Sequence, residues 1–370
     1  MKIVCEKEKL LKGINSVING VASKTTMPVL EGILIQTNDK EVKLTTYDLE
    51  IGIEYIIECD VKEQGNTVVN ATMFSEIIRK LPNTDIAISV NDKNLLVIEC
   101  EGSLYKLATM NPSEFPELPQ ISIENSIQIE QNNLKDMIRK TSFAASIDES
   151  RGVITGVLIE MKERKLNMVA LDGFRMAVAR ENIINAKEQN IIIPAKILNE
   201  ISKIITENEG DMQDVDLYIN EKRAVFIIED TKVVLRLLEG EFVDYANILP
   251  KDSKCRVVVN RGDLLESIER ASLLAKVGKN NLIKLDIKSS SMEVTSKSEE
   301  GNVKEEVIIS KEGDDLTIGF NSKYMIDALK AIEDENITMN FNTSISPCLL
   351  KPITGESYEY LVLPVRITNN

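Results

Sequence analysis

The chain passes three times through one pattern of apolar and polar positions. MKIVCEKEKLLKGINSVING, SIQIEQNNLKDMIRKTSFAA and CRVVVNRGDLLESIERASLLA each open on alternating apolar residues, cross a polar step and continue with apolar residues at helical spacing. Alternation predicts a strand, and the three-and-four spacing predicts an amphipathic helix, here beginning near Leu10, Leu134 and Leu264. Each helix is followed by two strand patterns around a turn: VLEGILIQTNDKEVKLTTYD, VITGVLIEMKERKLNMVALD and NLIKLDIKSSSMEVTSKS. The second half of each passage repeats too, with TVVNATMFSEIIRKLP, NIIIPAKILNEISKII and LTIGFNSKYMIDALKAI each giving a strand, a turn residue and a helix. More strands follow, joined by hairpin turns such as Asn91-Asp92 and Asn220-Glu221. The period is about 125 residues, which is a tandem domain duplication and not a short solenoid repeat.

Each passage closes on Leu-Pro, at Leu118-Pro119, Leu249-Pro250 and Leu363-Pro364, so boundaries fall near Gln120 to Asn125 and Lys251 to Lys254. Three domains result: 1–122, 123–252 and 253–370. The run YLVLP reads as the third copy of a closing strand whose siblings are EFPELP and EFVDYANILP. Proline cannot donate to a ladder, so that strand must end or lie at an edge there. The simplest packing sets two helices against two antiparallel sheets in every domain, an α+β class, and a chain of this length has room for two or three such cores.

Composition narrows the chemistry. The sequence holds no histidine, which removes the usual general base, the Ser/His and Cys/His nucleophile pairs and the commonest transition-metal ligand. No P-loop, GxGxxG or EF-hand pattern occurs. Carboxylates leave one catalytic alternative open, a metal-dependent nuclease or a glycosidase built on acids such as Asp48, Asp172 or Glu299; the first two stand at equivalent repeat positions. The five cysteines, Cys5, Cys59, Cys100, Cys255 and Cys348, are odd in number and lie in apolar runs. They read as small buried hydrophobes of a reducing compartment, without a disulfide or zinc framework. No stretch suits a membrane span and the start lacks the layout of a secretion signal, so the expectation is a cytoplasmic protein without membrane, metal or cofactor.

A net charge of −15 argues against nucleic acid until the charges are placed. Every expected helix carries at least two cations: Lys7, Lys9 and Lys12; Arg79 and Lys80; Lys135, Arg139 and Lys140; Lys196 and Lys203; Arg261, Arg270, Lys276 and Lys279; Lys323 and Lys330. Acids concentrate elsewhere, at Glu54, Glu58 and Asp60 or at Glu299, Glu300, Glu305 and Glu306. Solvated helix faces with Glu/Lys pairs would look similar one at a time. Sixfold recurrence fits helices sharing a basic face that holds duplex DNA loosely through phosphates.

Three domains of equal plan, LDGFRMAVA, EFVDYANILP and the ending YLVLPVRI together resemble the bacterial sliding clamps, the beta subunits of DNA polymerase III, over the whole chain. The resemblance implies a non-catalytic processivity factor: a head-to-tail homodimer closed into a ring of six domains, with helices lining the hole and sheets on the rim. It would encircle duplex DNA, slide without reading sequence, and tether the replicative DNA polymerase, the clamp loader and other replication and repair proteins that carry clamp-binding motifs. By matching positions, the resemblance implies a peptide pocket of Ile154, Leu171, Gly173, Arg175 and Met176, then Val243, Asn247 and Ile248, then Ile345, Pro347, Leu361, Val362, Leu363, Pro364, Val365 and Arg366. It implies DNA-facing cations at Lys12, Lys24, Arg79, Lys80, Arg139, Lys140, Arg151, Lys196 and Lys203. The dimer edge would bring Tyr105, Lys106 and Leu107 against Leu273, Leu274, Glu305 and Glu306. The chain departs from the family pattern at Val243, where many members carry proline, at Asn247, where some carry arginine, and at Gly152 and Val153, where some carry aromatic residues.

Overall fold

The computed structural model describes residues 1–121, 126–183, 188–206 and 213–367; the boundary expected between 122 and 123 lies outside them. The first repeat lays down β1 (Lys2–Glu6), α1 (Lys7–Val17), β2 (Gly32–Thr37), β3 (Glu41–Tyr47), β4 (Ile51–Glu58), β5 (Asp60–Glu63), β6 (Asn66–Asn70), α2 (Ala71–Lys80), β7 (Asp85–Val90), β8 (Leu95–Cys100) and β9 (Ser103–Met110). The second gives β10 (Ile127–Glu130), α3 (Gln131–Thr141), β11 (Gly156–Lys162), β12 (Lys165–Leu171), β13 (Arg175–Asn182), β14 (Gln189–Pro194), α4 (Ala195–Ile204), β15 (Asp214–Ile219), β16 (Arg223–Ile228) and β17 (Thr231–Arg236). The third gives β18 (Cys255–Asn260), α5 (Arg261–Ala275), β19 (Leu282–Ile287), β20 (Ser291–Ser298), β21 (Gly301–Gly313), β22 (Leu316–Asn321), α6 (Ser322–Ala331), β23 (Asn336–Phe341), β24 (Cys348–Pro352) and β25 (Tyr358–Val362).

The first helix of each repeat starts three residues before the leucine that marks it, because the polar step supplies the first turn; Leu10, Leu134 and Leu264 are buried on the inner face. Asparagines start several helices. Asn70, Asn260 and Asn321 each accept a hydrogen bond from a backbone N–H of the first turn, satisfying a donor that the helix cannot pair.

Packing divides the chain into two compact units, Met1–Gln131 with Lys203–Leu237, and Asn132–Ser202 with Leu238–Asn370. Each contains one continuous antiparallel sheet. In the first unit the strand order is β10-β15-β16-β17-β4-β3-β2-β6-β9-β8-β7-β1-β5, with α1 and α2 packed together and α1 laid on β3 and β4. In the second it is β14-β11-β12-β13-β25-β24-β23-β18-β21-β20-β19-β22, with α5 and α6 packed together and α5 laid on β19 to β21. The second repeat therefore contributes strands to both sheets.

Two joints between repeats obey one rule. β4 pairs with β17, setting Ile51 opposite Leu235 and Tyr55 opposite Thr231. β13 pairs with β25, setting Arg175 opposite Val362 and Ala179 opposite Tyr358. Counted from the preceding turn, the register is the same: the third strand of one repeat's first half meets the third strand of the next repeat's second half.

The closing segments correct the sequence reading. Only YLVLP enters a sheet, and its strand stops at Val362, two residues before Pro364. A short 3-10 turn at Pro112–Glu114 leads into EFPELP, and EFVDYANILP contains one at Tyr245–Asn247. In EFPELP two prolines remove ladder donors, and Asn111 accepts from the Ser113 N–H to start the turn. Both segments instead lay apolar side chains over the core of their own repeat. Phe115 and Leu118 pack with Leu30, Leu34 and Tyr47, and Phe242, Tyr245 and Leu249 pack with Leu158, Leu171 and Met176.

Candidate functional site

The two motifs that stood apart in the sequence are adjacent strands. LDGFRMA forms the turn into β13, and YLV is β25, hydrogen-bonded to it. Asp172 builds the turn: its Oδ1 accepts from the N–H groups of Phe174 (2.8 Å) and Arg175 (3.0 Å), and its own N–H donates to the Arg175 carbonyl. Gly173 takes φ +90°, a left-handed conformation that glycine adopts without strain. Asp48 does the same work one repeat earlier, accepting from Glu50 and Ile51. Ser298 stands there in the third repeat and accepts from Glu300. Asp48 and Asp172, the equivalent acids that motivated a hydrolase, are thus turn residues with Oδ1 engaged by backbone donors, and the hydrolase reading is not supported.

Successive side chains of a strand point to opposite faces, and β13 uses both. Met176 faces an apolar cluster with Leu158, Val169, Leu171, Val178, Ile192, Leu349 and Leu361, rimmed by half-buried Val153, Ile154, Phe242, Tyr245 and Leu249. Arg175 faces the helices. Its Nε donates to Asp172 Oδ2 at 3.0 Å and its Nη1 to Asp327 Oδ2 at 2.6 Å, while the guanidinium lies 4.8 Å from the ring centre of Tyr324 and 5.4 Å from that of Phe143. Arg175 thereby fastens the LDGF turn to α6, and its side chain is not part of the apolar floor.

Of the residues expected in the pocket, Leu171, Met176, Leu361 and Ile154 share this cluster. Val243, Ile248, Ile345 and Leu363 are exposed large apolar side chains of the same unit; Ile345, on the loop before β24, is 76% exposed. Asn247 donates to Asp244, Gly173 and Arg366 are exposed, and Pro347, Pro364 and Val365 are half-buried. Val362 is buried between β13 and β24. Past Pro364 the chain crosses to β22, where the Val365 N–H donates to the Gly319 carbonyl at 2.8 Å; a Cβ on Gly319 would stand 2.8 Å from the Val365 carbonyl oxygen, so the approach needs glycine. Tyr245 packs at the rim of this cluster and donates from its hydroxyl to Glu160 Oε2 at 2.6 Å; burial, then that bond, push the phenol well above its ordinary value.

Sequence reasoning missed Phe174, exposed and stacked on Tyr324 at 6.1 Å, and the floor residues Leu349 and Leu158. The pairing of β24 with β25 brings Leu349 opposite Leu361; only a register, which sequence does not print, could have found it.

The expected DNA-facing cations fall into two groups. Lys24, Arg79, Lys80 and Lys196 are exposed, with no ion pair among the described residues. Lys12 and Lys203 line one cleft of about 380 Å³ in the first unit, where Lys12 meets Glu229 at 3.1 Å. Arg139 and Lys140 both pair with Asp136, and Arg139 also reaches Glu333 (3.1 Å) and the Ala331 carbonyl (2.8 Å); Arg151 donates to the Asp172 carbonyl.

At the expected dimer edge, Ser103–Ala108 of β9 bonds β8 on one side only, since β6 pairs with just Thr109 and Met110. Leu104 and Tyr105 are exposed there and Leu107 is half-buried. β21 matches it, because Gly301–Ile308 bonds β20 and the remainder bonds β18. Ile308 on this strand is 84% exposed and Leu273 on α5 67%. Glu305 is engaged by Arg270 at 2.8 Å, which holds its carboxyl below the usual range.

Three domain models of one family match in order along the chain: the DNA polymerase III beta subunit N-terminal domain at residues 1–119, its central domain at 128–244 and its C-terminal domain at 246–366. The chain belongs to the DNA polymerase III beta subunit family. Its relatives include the beta sliding clamp of Bacillus subtilis, 36% identical over 379 residues with 99% of this chain and 100% of the relative covered. The beta sliding clamp of Staphylococcus aureus is likewise 36% identical over 377 residues, covering 99% of each. Among solved structures, the B. subtilis clamp superposes with a TM-score of 0.94 at 35% identity over the whole of both chains. A sliding clamp from Pseudomonas aeruginosa bound to griselimycin gives 0.92 at 27% identity, covering 99% of this chain and 100% of that one. The three-domain beta subunit fold is shared throughout. No helix among the described residues is long and apolar enough to cross a membrane.

Proposed function

We propose that the chain is the processivity factor of a bacterial replicative DNA polymerase: a homodimer closed head to tail, with clamp domains at 1–122, 123–252 and 253–370, that encircles duplex DNA and slides along it in the cytoplasm. It tethers the polymerase, the clamp loader and other replication and repair proteins, and it carries out no chemistry itself. The observation that carries this reading is the repeated joint. β4 of repeat one meets β17 of repeat two, and β13 of repeat two meets β25 of repeat three in the same register. The rule leaves β21 of repeat three to meet β9 of repeat one, and both strands have open edges. A second copy supplies each with its partner, which completes the set of joints. Counting from the turns sets Gly301 opposite Leu107, Val303 opposite Tyr105 and Glu305 opposite Ser103 across that seam. Tyr105, Leu107, Leu273 and Leu274 bury apolar surface there; Lys106 is its main cation, since Glu305 is already held by Arg270.

Partners dock on the exposed apolar side chains of Val243, Ile248, Ile345 and Leu363, backed by the buried cluster of Leu171, Met176 and Leu361, whose flexible Met side chain lets the surface adapt to varied peptides. DNA is held weakly by the unpaired cations Lys24, Arg79, Lys80 and Lys196, so direct affinity falls steeply with salt.

Light scattering and fluorescence anisotropy test the reading. The intact protein is expected at twice the chain mass, and cysteines placed at Val303 and Tyr105 are expected to cross-link two copies, whereas Val303 with Lys106 is not. A labelled peptide of the glutamine-leucine-phenylalanine type is expected to bind the intact chain, and binding is expected to fall on truncation after Val362, which leaves β25 whole. A stable monomer at micromolar concentration overturns the ring, and unchanged peptide binding overturns the pocket.

A further inference from the structure

Four of the five cysteines are buried, and Cys59 alone is partly open to solvent. It lies at the step from β4 into β5, its N–H donating to the Lys40 carbonyl at 3.0 Å. β5 runs antiparallel to β1, with Ile3 opposite Val61 and Val4 opposite Asp60. The next position in that register sets Cys5 opposite Cys59. Directly opposed residues of an antiparallel pair project to the same face, with Cβ atoms about 4.5–5.5 Å apart, within a small adjustment of disulfide geometry. An accessible thiol therefore stands against a buried one, on the strand that leads into α1.

We propose that Cys59 and Cys5 form a peroxide-responsive dithiol pair that closes reversibly to a disulfide between β5 and β1. The Cys59 thiolate attacks one peroxide oxygen, the O–O bond breaks, and hydroxide leaves, giving Cys59 sulfenic acid. The Cys5 sulfur then attacks the Cys59 sulfur, the S–O bond breaks, and the oxygen leaves as water with the Cys5 proton. Two thiols lose two electrons and two protons in total, and the peroxide becomes two waters.

The electrostatics suit this division of roles. The Cys5 thiol donates to the Glu6 carbonyl at 3.4 Å; the neighbouring Cys5 holds the Cys59 thiol below its ordinary value even though burial and Asp60 oppose the effect, while Cys5 is pushed up by Cys59 and then by burial. A low-pKa, accessible thiol beside a resolving thiol is the arrangement on which redox-sensing pairs depend, and a transient bond of this kind is compatible with a reducing compartment. The closed bond would tie the edge strand β5 to β1, enclosing the α1, β2, β3 and β4 segment in one covalent loop. Cys255 and Cys348 serve as an internal control: they are both buried, with thiols raised chiefly by burial.

The reduced full-length protein treated with a small excess of hydrogen peroxide, then digested without reductant, tests the pair. A single cross-linked peptide containing Cys5 and Cys59 is expected, lighter by about 2 Da than its reduced parts and reopened by dithiothreitol, with Cys255 and Cys348 unmodified. The melting temperature of the oxidised protein is expected to rise by a few degrees. In Cys5→Ser, Cys59 sulfenic acid is expected to accumulate and to be trapped by dimedone; in Cys59→Ser, neither the cross-link nor a Cys5 adduct should form. Oxidation of Cys59 to sulfinic acid with Cys5 still reduced, or a Cys59 thiol that survives the peroxide, overturns the proposal, and the wild-type digest decides between these even if a variant fails to fold.

Discussion

The β4–β17 and β13–β25 ladders are the same joint built twice, and their differences show how one plan covers its core with different side chains in the two units. In the first unit Gly52 stands where Met176 stands in the second, and Leu118 settles onto it, so closely that a Cβ on Gly52 would lie 2.1 Å from Leu118 Cδ2. In the second unit Tyr245 stands three residues after the EF pair, as Leu118 does in the first, and packs at the rim of the buried Met176 and Leu361 cluster while its hydroxyl reaches Glu160. The charges differ in a parallel way. Glu54 on β4 sits between Lys43 (3.1 Å) and Lys232 (3.4 Å). At the second joint the acid has crossed the seam: Glu359 on β25 sits between Arg180 and Lys351, and its side chain is only 8% exposed.

The largest expected effect separates those two acids. Glu359→Gln leaves two cations facing a neutral amide in a buried place and should cost about 3 kcal/mol in urea unfolding, whereas Glu54→Gln, more open and with one longer contact, should cost about 1 kcal/mol. Burial alone would raise the Glu359 carboxyl, but Lys351 and Arg180 overcome it and hold it below the usual value. A depressed folded value contributes stability above the unfolded value of about 4.3 and loses it as pH falls through the folded one. The wild type should therefore lose more stability than Glu359→Gln between pH 5 and roughly pH 3; equal acid limbs would show that the triad does not hold the joint.

Copying the second unit into the first comes next. Gly52→Met should cost about 2 kcal/mol by displacing Leu118, and the same change in a Leu118→Ala background should cost markedly less, a coupling that a double-mutant cycle reads directly. Additive losses would mean that Leu118 is not what closes the first core. Tyr245→Phe removes the hydroxyl bond to Glu160 and should cost about 1 kcal/mol, with peptide affinity falling as the freed ring competes for the floor; unchanged affinity would break the comparison at that residue. The smallest change concerns the turns. Leu49 holds φ +78° where Gly173 holds +90°, so Leu49→Gly should stabilise the first unit by about 0.5 kcal/mol, a left-handed leucine's strain outweighing glycine's extra entropy when unfolded. A loss on thermal melting would refute that.

How far the sequence carried differs by scale. Periodicity revealed the triplication, the helices and the hairpins because each is a local pattern. The first two Leu-Pro segments misled because apolar residues near prolines read as strand, while their real role, covering their own repeat's core, depends on contacts made far along the chain. The site was half legible: Leu171, Met176 and Leu361 came from motifs, but Leu349 entered only through the β24–β25 register. Arg175 was legible as important, yet its partners Asp327 and Tyr324 lie in the next repeat. Cation counting found the helices but not the acids beside them, so Arg139 and Lys140 looked freer than they are.

The position of β25 has a consequence in time. Its strand fills the gap between β13 and β24, and Val362 follows its partner Arg175 by roughly 190 residues. On the ribosome, the first unit has all its strands once Arg236 has emerged, whereas the second must wait for Tyr358–Val362 with the edge of β13 uncovered. The surface we propose for partners is thus among the last parts of the molecule to form, after the open-edged strands β9 and β21.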